Sequence, residues 1–502
     1  FAQGALAAET EFAVLDGGRP VPTQPTVTAR WPDGSVKWLH ADFLADLPGN
    51  RGKSFSWQIA GAPAPAPVPA ACVRAMGDAL VLDSGVASLR LGGAGDQSPF
   101  AGSGLGAFTL GLGEIRGPVW VDETGAEWDA TVDEHGWRVL RAGPVHAIVE
   151  ATGKHRRRTG DGMMDFCLRC HAFAGKPWFQ VDYRVVNREA APQTMLKGLY
   201  LRFSPQAPAA AVRTALGISN YGTRVRRAEA GQPLHHCIDA EQILFEGNEQ
   251  APEVHYGTFW ADWSTPAGGL CITVYQAQQN YPKALAADGA GIAVWLYPDT
   301  SPALCLRQGV ARTQRLLLHL HDGGEPHLQE VGTRSLQFQM PDRPALDPET
   351  YRDADVFEPV WVAEPVRRIE AFLVDSADAR ARGYGLLNWG DGPDASYTNQ
   401  GRGHGKPVWT NNEYDLPHAA MLQFARTGER RLFDYLLVTA EHQMDVDVCH
   451  FSPDPYRDGG QVIHSAHHVS GGVTPSHEWV EGLLDLYHVT ANPDALDAAL
   501  GI

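Results

Sequence analysis

The period of the hydrophobic pattern changes once along this chain, near residue 360. That change limits the fold more than any single motif does. Before it, apolar residues come in short β-branched or aromatic runs such as HAIVEATG, WFQVDYRVVN, GLCITVYQ and GIAVWLYP, separated by Gly, Asp and Pro turns. RSLQFQM (334–340) alternates as a half-buried strand would. Such runs, with no long helical pattern between them, predict a large antiparallel β-sandwich over 71–345. After the change, Leu416, Ala419, Ala420 and Phe424 fall at helical spacing, with Gly428 as a stop. Leu432, Tyr435, Leu436 and Thr439 begin a second helix, and Trp479, Leu483, Leu486 and Tyr487 mark a third. YHVTANPDAL then reads as turn, cap and the start of a fourth. Helices with one apolar stripe need neighbours to cover it. The segment 355–502 is therefore expected to be a helical domain that is incomplete here or exists only as a small appendage.

Residues 1–62 read as a small β unit. WPDGSVKWLH (31–40) places a Pro-Asp-Gly hairpin turn between Trp31 and Trp38. GAPAPAPVPA (61–70) and PDRPALDP (341–348) are candidate linkers, since closely spaced prolines keep a chain extended. At 502 residues and roughly 100–200 per domain, two to four domains are expected. The net charge of −18 argues against nucleic acid or an anionic membrane as the main partner. No apolar run reaches the roughly 18 residues of a membrane-spanning helix. Cys167 and Cys170 form one CxxC, but three residues apart on a strand they face opposite ways, so buried thiols are expected.

The chemistry-bearing residues gather after residue 385. CHFSPDPYRDGGQVIHSAHHVSGGVTPSH (449–477) holds five of the 20 histidines: His450, His464, His467, His468 and His477. A loop of that length is uncommon unless functional or disordered, and disordered linkers are rarely rich in histidine. Just before it, EHQMDVDVCH (441–450) sets His442, Asp445, Asp447 and His450 close together. If the helix ran through residue 450, His442 and Asp445 would share a face and Asp447 would not. One helix could not then offer all four to a single ion. The expectation is no metal and no cofactor, with calcium at Asp445, Asp447, Asp454 or Asp458 as the one ion left open. Helix-end capping and binding of sugar hydroxyls are the other two uses for these groups.

NWGDG (388–392) and WTNNEYDLPH (409–418) form a second cluster. Trp389 and Trp409 could stack on pyranose rings, and Asp391, Asn411, Asn412 and Glu413 could bond hydroxyls or a carboxylate. Asn411 and Asn412 could equally cap a helix starting near Glu413. Lys283, in NYPKAL, and the basic hairpin KHRRRTGDG (154–162) could offer cations, although a solvated surface suits both better. No serine-hydrolase elbow, Walker loop or dinucleotide fingerprint is present in the sequence.

Seven stretches in order, FAQGAL, ARWPDGSVKWLHADF, QQNYPKAL, LNWGD, WTNNEYD, HQMDVDVCH and HEWVEGLLDLYHVT, resemble the exo-rhamnogalacturonan lyase family with YetA-like proteins, polysaccharide lyase family twenty-six. The resemblance implies three parts: a small N-terminal RIFT-type β-barrel (1–62), a central β-sandwich (71–345) and a C-terminal α/α toroid (355–502), partial here. It also implies chain beyond both ends, and a periplasmic or secreted setting. GVARTQ (309–314) departs from the family, whose run there is Lys-Thr-His.

The expected activity is β-elimination, of exo type, on a uronate-containing, rhamnogalacturonan-like polysaccharide or oligosaccharide. That reaction needs a group to neutralise the carboxylate, a base for the C5 proton and an acid for the departing O4. His450, His464 and His468 are the candidate bases and Tyr414 the candidate acid. Trp389, Asp391, Trp409, Asn411, Asn412, Glu413, His442, Asp445, Asp447 and Lys283 are the candidate substrate contacts. A glycoside hydrolase using a carboxylate pair from Asp391, Glu413, Asp445 and Asp447 is the first alternative. A non-catalytic carbohydrate-binding protein is the second.

Overall fold

The computed structural model describes residues 1–502 apart from 62, 78, 97, 101–112, 206–210, 221–223, 230–231, 240–256, 324, 358–365, 381–382, 467 and 469–470. His467 therefore lies outside the described residues.

Short strands open the chain: Phe12–Asp16, Arg19–Pro20, Thr23–Arg30, Val36–Phe43 and Ser56–Ile59. Thr23–Arg30 and Val36–Phe43 pair antiparallel around the Pro-Asp-Gly turn, where Gly34 takes φ +87° and its N–H donates to Trp31 O at 2.8 Å.

The central part is one continuous sheet of 14 strands, antiparallel at every pairing. In spatial order it runs Arg224–Glu229, Arg213–Asn220, Gly257–Thr265, Gly268–Val274, Ala311–His321, Trp178–Val186, Gly162–Phe173, His146–Arg156, Glu127–Ala142, Gly113–Val121, Gly198–Pro205, Gly291–Tyr297, Lys283–Asp288 and Leu234–Ile238. Gly257–Thr265 packs back onto Lys283–Asp288 and Gly291–Tyr297, so the sheet curls toward a barrel. Two separate stacked sheets were expected. Register shifts at Val132/Trp137 and Val139/Arg141 add twist to the long strands, and accumulated twist bends one sheet onto itself. Trp120, Phe166, Phe179, Tyr183, Phe203, Phe259, Trp263 and Leu316 fill the space it encloses. Cys167 and Cys170 lie on Gly162–Phe173 as free thiols, only Cys170 fully buried.

One buried polar pair in this core carries a prediction. His155 is 0 % exposed, its Nδ1 donates to Met164 O at 2.8 Å, and its Nε2 accepts from the Tyr183 hydroxyl at 2.9 Å. Burial pushes its pKa down to about 4. A depressed folded pKa gives stability that is present above the unfolded value near 6.5 and lost as pH falls through 4. The loss from this residue is on the order of 3 kcal/mol. Tm should fall between pH 6.5 and 4, and His155→Gln should flatten that part of the profile; an unchanged slope would place the acid sensitivity elsewhere.

Eight helices come after the sheet among the described residues: α1 Glu325–Gln339, α2 Pro348–Ala354, α3 Arg367–Arg380, α4 Ala395–Asn399, α5 Leu416–Thr427, α6 Arg430–His442, α7 Glu481–Thr490 and α8 Pro493–Gly501. α1 corrects the strand expected at RSLQFQM. Leu328, Val331, Ser335 and Gln339 are buried at three- and four-residue intervals, and Leu328 and Val331 pack on Ala215, Trp260 and Cys271. α5 ends at Gly428 in the left-handed cap conformation, as the sequence suggests. Met421, Phe424, Leu432, Tyr435, Leu436, Leu483 and Leu486 form a second core, with Trp31 and Trp38 of the N-terminal unit against it.

The helices are tied to the sheet by ions. Arg169, on the sheet, donates from Nη2 to Asp494 Oδ1 at 2.7 Å and from Nε to Glu150 Oε2 at 2.6 Å. Asp494 begins α8. Burial alone would raise its pKa, but Arg184 and Arg169 outweigh burial and hold it at about 2.

Candidate active site

The helix expected to run through residue 450 does not. α6 stops at His442, and Gln443–Asp447 form one π-helical turn. Its wider turn brings residues five apart onto one face. His442 Nε2 thus comes within 3.3 Å of Asp447 Oδ1. Asp445 faces the other way, where its carboxylate accepts from Arg184 Nε at 2.9 Å and from Thr313 N at 2.7 Å. It is a link between helix and sheet, not a sugar contact.

Residues 409–415 lead into α5. Asn411, Asn412, Tyr414 and Asp415 all hold left-handed backbone, with φ of 52°, 49°, 66° and 54°. Asn and Asp tolerate that region; Tyr rarely enters it, and such strain concentrates at functional sites. The cap of α5 is Asp415, which accepts from His418 N and Gly482 N, each at 3.2 Å. The expected cap at Asn411 and Asn412 is corrected accordingly. Asn411 instead donates from Nδ2 to Val462 O, Ile463 O and His468 O, at 3.0, 2.8 and 2.6 Å. One amide thus clamps the histidine loop. Asn412 Nδ2 lies 3.2 Å from Asp447 Oδ2. Both NH2 groups are spent on the protein, and both side chains are buried, at 0 % and 1 % exposed.

The clamp delivers His464 to Glu413. Glu413 Oε1 accepts the His464 backbone N–H at 2.7 Å and lies 2.7 Å from its Nδ1. The proton therefore sits on Nδ1, and Nε2 presents a lone pair. Arg402, exposed, donates to that Nε2 from Nη1. The His464 ring stacks on Tyr397 at 3.9 Å, and the Arg402 guanidinium lies 4.7 Å over the same ring. Burial first, then the neighbouring Tyr414 and Glu413, push the Tyr397 pKa up to about 12. Tyr414 is 61 % exposed and stands 5.7 Å from the His477 ring. An oriented histidine, an exposed guanidinium and two phenols thus share one partly open surface. Arg402 and Tyr397 escaped the sequence analysis; their signal was SYTNQGRGHGK, a polar glycine-rich stretch placing Tyr, Arg and His just before WTNNEYD.

Other candidates are placed elsewhere. His450 is held with Nε2 2.6 Å from Met444 O and 3.0 Å from Arg184 Nη2, so its ring is already engaged by the protein. Burial and Arg184 push its pKa down to about 3. It cannot act as an open base. Lys283 is 0 % exposed and donates to Asn280 O and Pro282 O, and burial, then Arg312, lower its pKa, so it is no surface cation. Trp389 is buried and donates from Nε1 to Gln276 Oε1 at 2.9 Å. Trp409 is half-buried, stacked 5.0 Å from His468. Neither indole is a free sugar platform. Arg312 and Gln314 line a cavity of about 20 Å³ with Asn280, Arg315 and Glu441, room for a water and not for a pyranose.

Behind the open surface, Asp391, His442, Asp447 and His468 converge out of solvent. Gly390, at φ +103°, lets the 388–391 loop approach α6; a Cβ there would meet His442 Cβ at 2.5 Å. His468 Nδ1 lies 3.6 Å from Asp447 Oδ1 and 3.8 Å from Asp391 Oδ2.

No curated protein matches the chain in sequence. Solved structures with some likeness include a GH36 α-galactosidase from Geobacillus stearothermophilus, at TM-score 0.34 and 10 % identity over 61 % of this chain and 49 % of that one. An α-mannosidase from Enterococcus faecalis V583 gives TM-score 0.33 and 11 % identity over 66 % and 40 %. A galactose mutarotase-like protein from Clostridium acetobutylicum gives 0.30 and 8 % over 50 % and 98 %. The chain spans less than half the length of the first two, and likeness this low does not bear on activity. In sequence, residues 1–46 match the PcRGLX-like N-terminal RIFT barrel domain.

Proposed function

We propose that this chain belongs to a polysaccharide lyase that cleaves a uronate-containing, rhamnogalacturonan-like glycan by exo β-elimination, with His464 at its centre. The observation that carries the proposal is the Glu413–His464–Arg402 chain beside Tyr397 and Tyr414. The rhamnogalacturonan-lyase type of RIFT barrel at residues 1–46 agrees with it.

Arg402 swings from His464 Nε2 onto the C6 carboxylate and offsets its charge, which acidifies the C5 proton. His464 Nε2, now free, takes that proton, and Glu413 steadies the imidazolium through Nδ1. The electron pair forms the C4–C5 double bond as the C4–O4 bond breaks. Tyr414 protonates the departing O4. A hydrolase would need two carboxylates flanking an open cleft. Asp391, Glu413, Asp445 and Asp447 are 0 %, 2 %, 1 % and 0 % exposed, which disfavours that alternative. The burial of Trp389 and the stacking of Trp409 disfavour a purely aromatic sugar-binding platform.

The test is incubation with uronate polysaccharides, rhamnogalacturonan I backbone first, following ultraviolet absorbance of the unsaturated uronate and total reducing ends together. Both signals should rise in parallel. Reducing ends without absorbance would mean hydrolysis, and binding without either signal would mean a binding protein.

A further inference from the structure

We propose that Asp391, His442, Asp447 and His468 bind one divalent first-row transition ion, zinc by preference, which fastens the histidine loop to the end of α6. The site does not depend on which reaction the open surface performs.

The donor spacing is the first ground. Bonds of about 2.0–2.2 Å to nitrogen and carboxylate oxygen place tetrahedral ligand atoms about 3.3–3.6 Å apart. The separations here are 3.3 Å for His442 Nε2 to Asp447 Oδ1, 3.6 Å for His468 Nδ1 to Asp447 Oδ1, and 3.8 Å for His468 Nδ1 to Asp391 Oδ2. One ligand atom from each of the four residues lies within 4.8 Å of all the others.

Unmet hydrogen bonding is the second. His442, Asp447 and His468 are 0 %, 0 % and 4 % exposed, yet His442 Nε2, Asp447 Oδ1 and His468 Nδ1 have no hydrogen-bond partner. Buried polar atoms are rarely left so. All three point at the same spot. His442 Nδ1 lies 3.0 Å from Trp389 O and so carries its proton there. In the neutral ring Nε2 then turns a lone pair toward a carboxylate oxygen, a repulsion that a proton or a metal ion between them removes.

The outer shell is the third. Metal-bound histidines and carboxylates are held by further hydrogen bonds that fix their orientation. Here Trp389 O holds His442, Asn388 Oδ1 lies 3.4 Å from His468 Nε2, and Asn412 Nδ2 lies 3.2 Å from Asp447 Oδ2. Asp391 accepts from the Thr410 hydroxyl and from Asn411 N.

The donor set selects the ion. Two imidazoles disfavour calcium and magnesium, which take oxygen, and two nitrogens with two oxygens in a tetrahedron suit zinc. Four protein ligands closed from solvent make the site structural, not catalytic. The group Asp262, His321 and His327 differs: Asp262 Oδ1 and Oδ2 already bond His321 and His327 at 2.7 and 3.2 Å. It serves as the internal control.

The experiment measures metal content and thermal stability of the full chain purified with zinc supplied, alongside His468→Gln and Asp262→Asn. Wild type should carry one equivalent of zinc more than His468→Gln, and Asp262→Asn should match wild type. Dipicolinate should lower the Tm of wild type by several degrees and leave His468→Gln unmoved. Wild type without zinc, and with a Tm indifferent to zinc and dipicolinate, would overturn the proposal and leave a buried set of ion pairs. Equal zinc in wild type and His468→Gln would place the ion elsewhere and overturn it too. Should His468→Gln fail to fold, cobalt-substituted wild type decides. Tetrahedral absorption bands with a two-nitrogen, two-oxygen shell by X-ray absorption support the site, and any other shell refutes it.

Discussion

Replacing His464 by alanine should cut the rate of the proposed elimination by about 10²- to 10⁴-fold, the range for loss of a positioned general base. Binding of the unsaturated product should survive, because Arg402 and Tyr414 remain. The ring is held by a carboxylate on one side and by an aromatic stack on the other, so its Nε2 has one direction in which to work. Glu413→Gln should lose less than His464→Ala: the amide still accepts from Nδ1–H but no longer offsets an imidazolium. The pair of variants separates orientation from charge. His464→Ala retaining more than a tenth of wild-type kcat would remove His464 from the mechanism.

The second large effect concerns stability. Arg169→Met leaves Asp494 and Glu150 inside the protein with their shared partner gone. Breaking one side of a buried ion pair typically costs about 3–5 kcal/mol. Arg184 Nη1, 3.6 Å from Asp494 Oδ1, and Arg138, on Glu150, hold the loss within that range. The urea midpoint should drop accordingly, and the double variant Arg169→Met, Asp494→Leu should recover part of it, since paired removal leaves one buried charge fewer. A double variant worse than the single would show that the arginine stem, not the ion pair, carries the stability.

The helical half was legible where hydrophobic spacing extended over several turns. Leu416, Ala420 and Phe424 announce α5, and Gly428 closes it, because period and cap agree. α1 was not legible: the five residues from Ser335 to Gln339 alternate, and only the longer interval from Leu328 shows the helical face. The sheet was expected from its runs, but its single curled form depends on bulges that no local pattern marks. In the site, His464 and Glu413 were both named from the sequence and the fold brings them into contact, whereas Asn411 and Asn412, read as sugar contacts or helix caps, turn their side-chain NH2 groups into the protein. Side-chain type tells what a group can bond, and only the backbone tells which way it points. The left-handed backbone at Asn411 and Asn412 turns those amides inward, and nothing in WTNNEYD declares it.

The π-helical turn at Gln443–Asp447 has a further consequence, in inheritance. It differs from an α-helix by one residue in the turn, so one codon separates the two forms. Deleting a residue within it would let α6 continue at 3.6 residues per turn, rotating the residues after the deletion by about 100° around the axis. Asp447 would swing off His442 while the sheet and the barrel kept their sequences untouched. The buried centre can thus be gained or lost in one mutational step, and among descendants of this chain its presence should track the length of that segment more closely than overall resemblance.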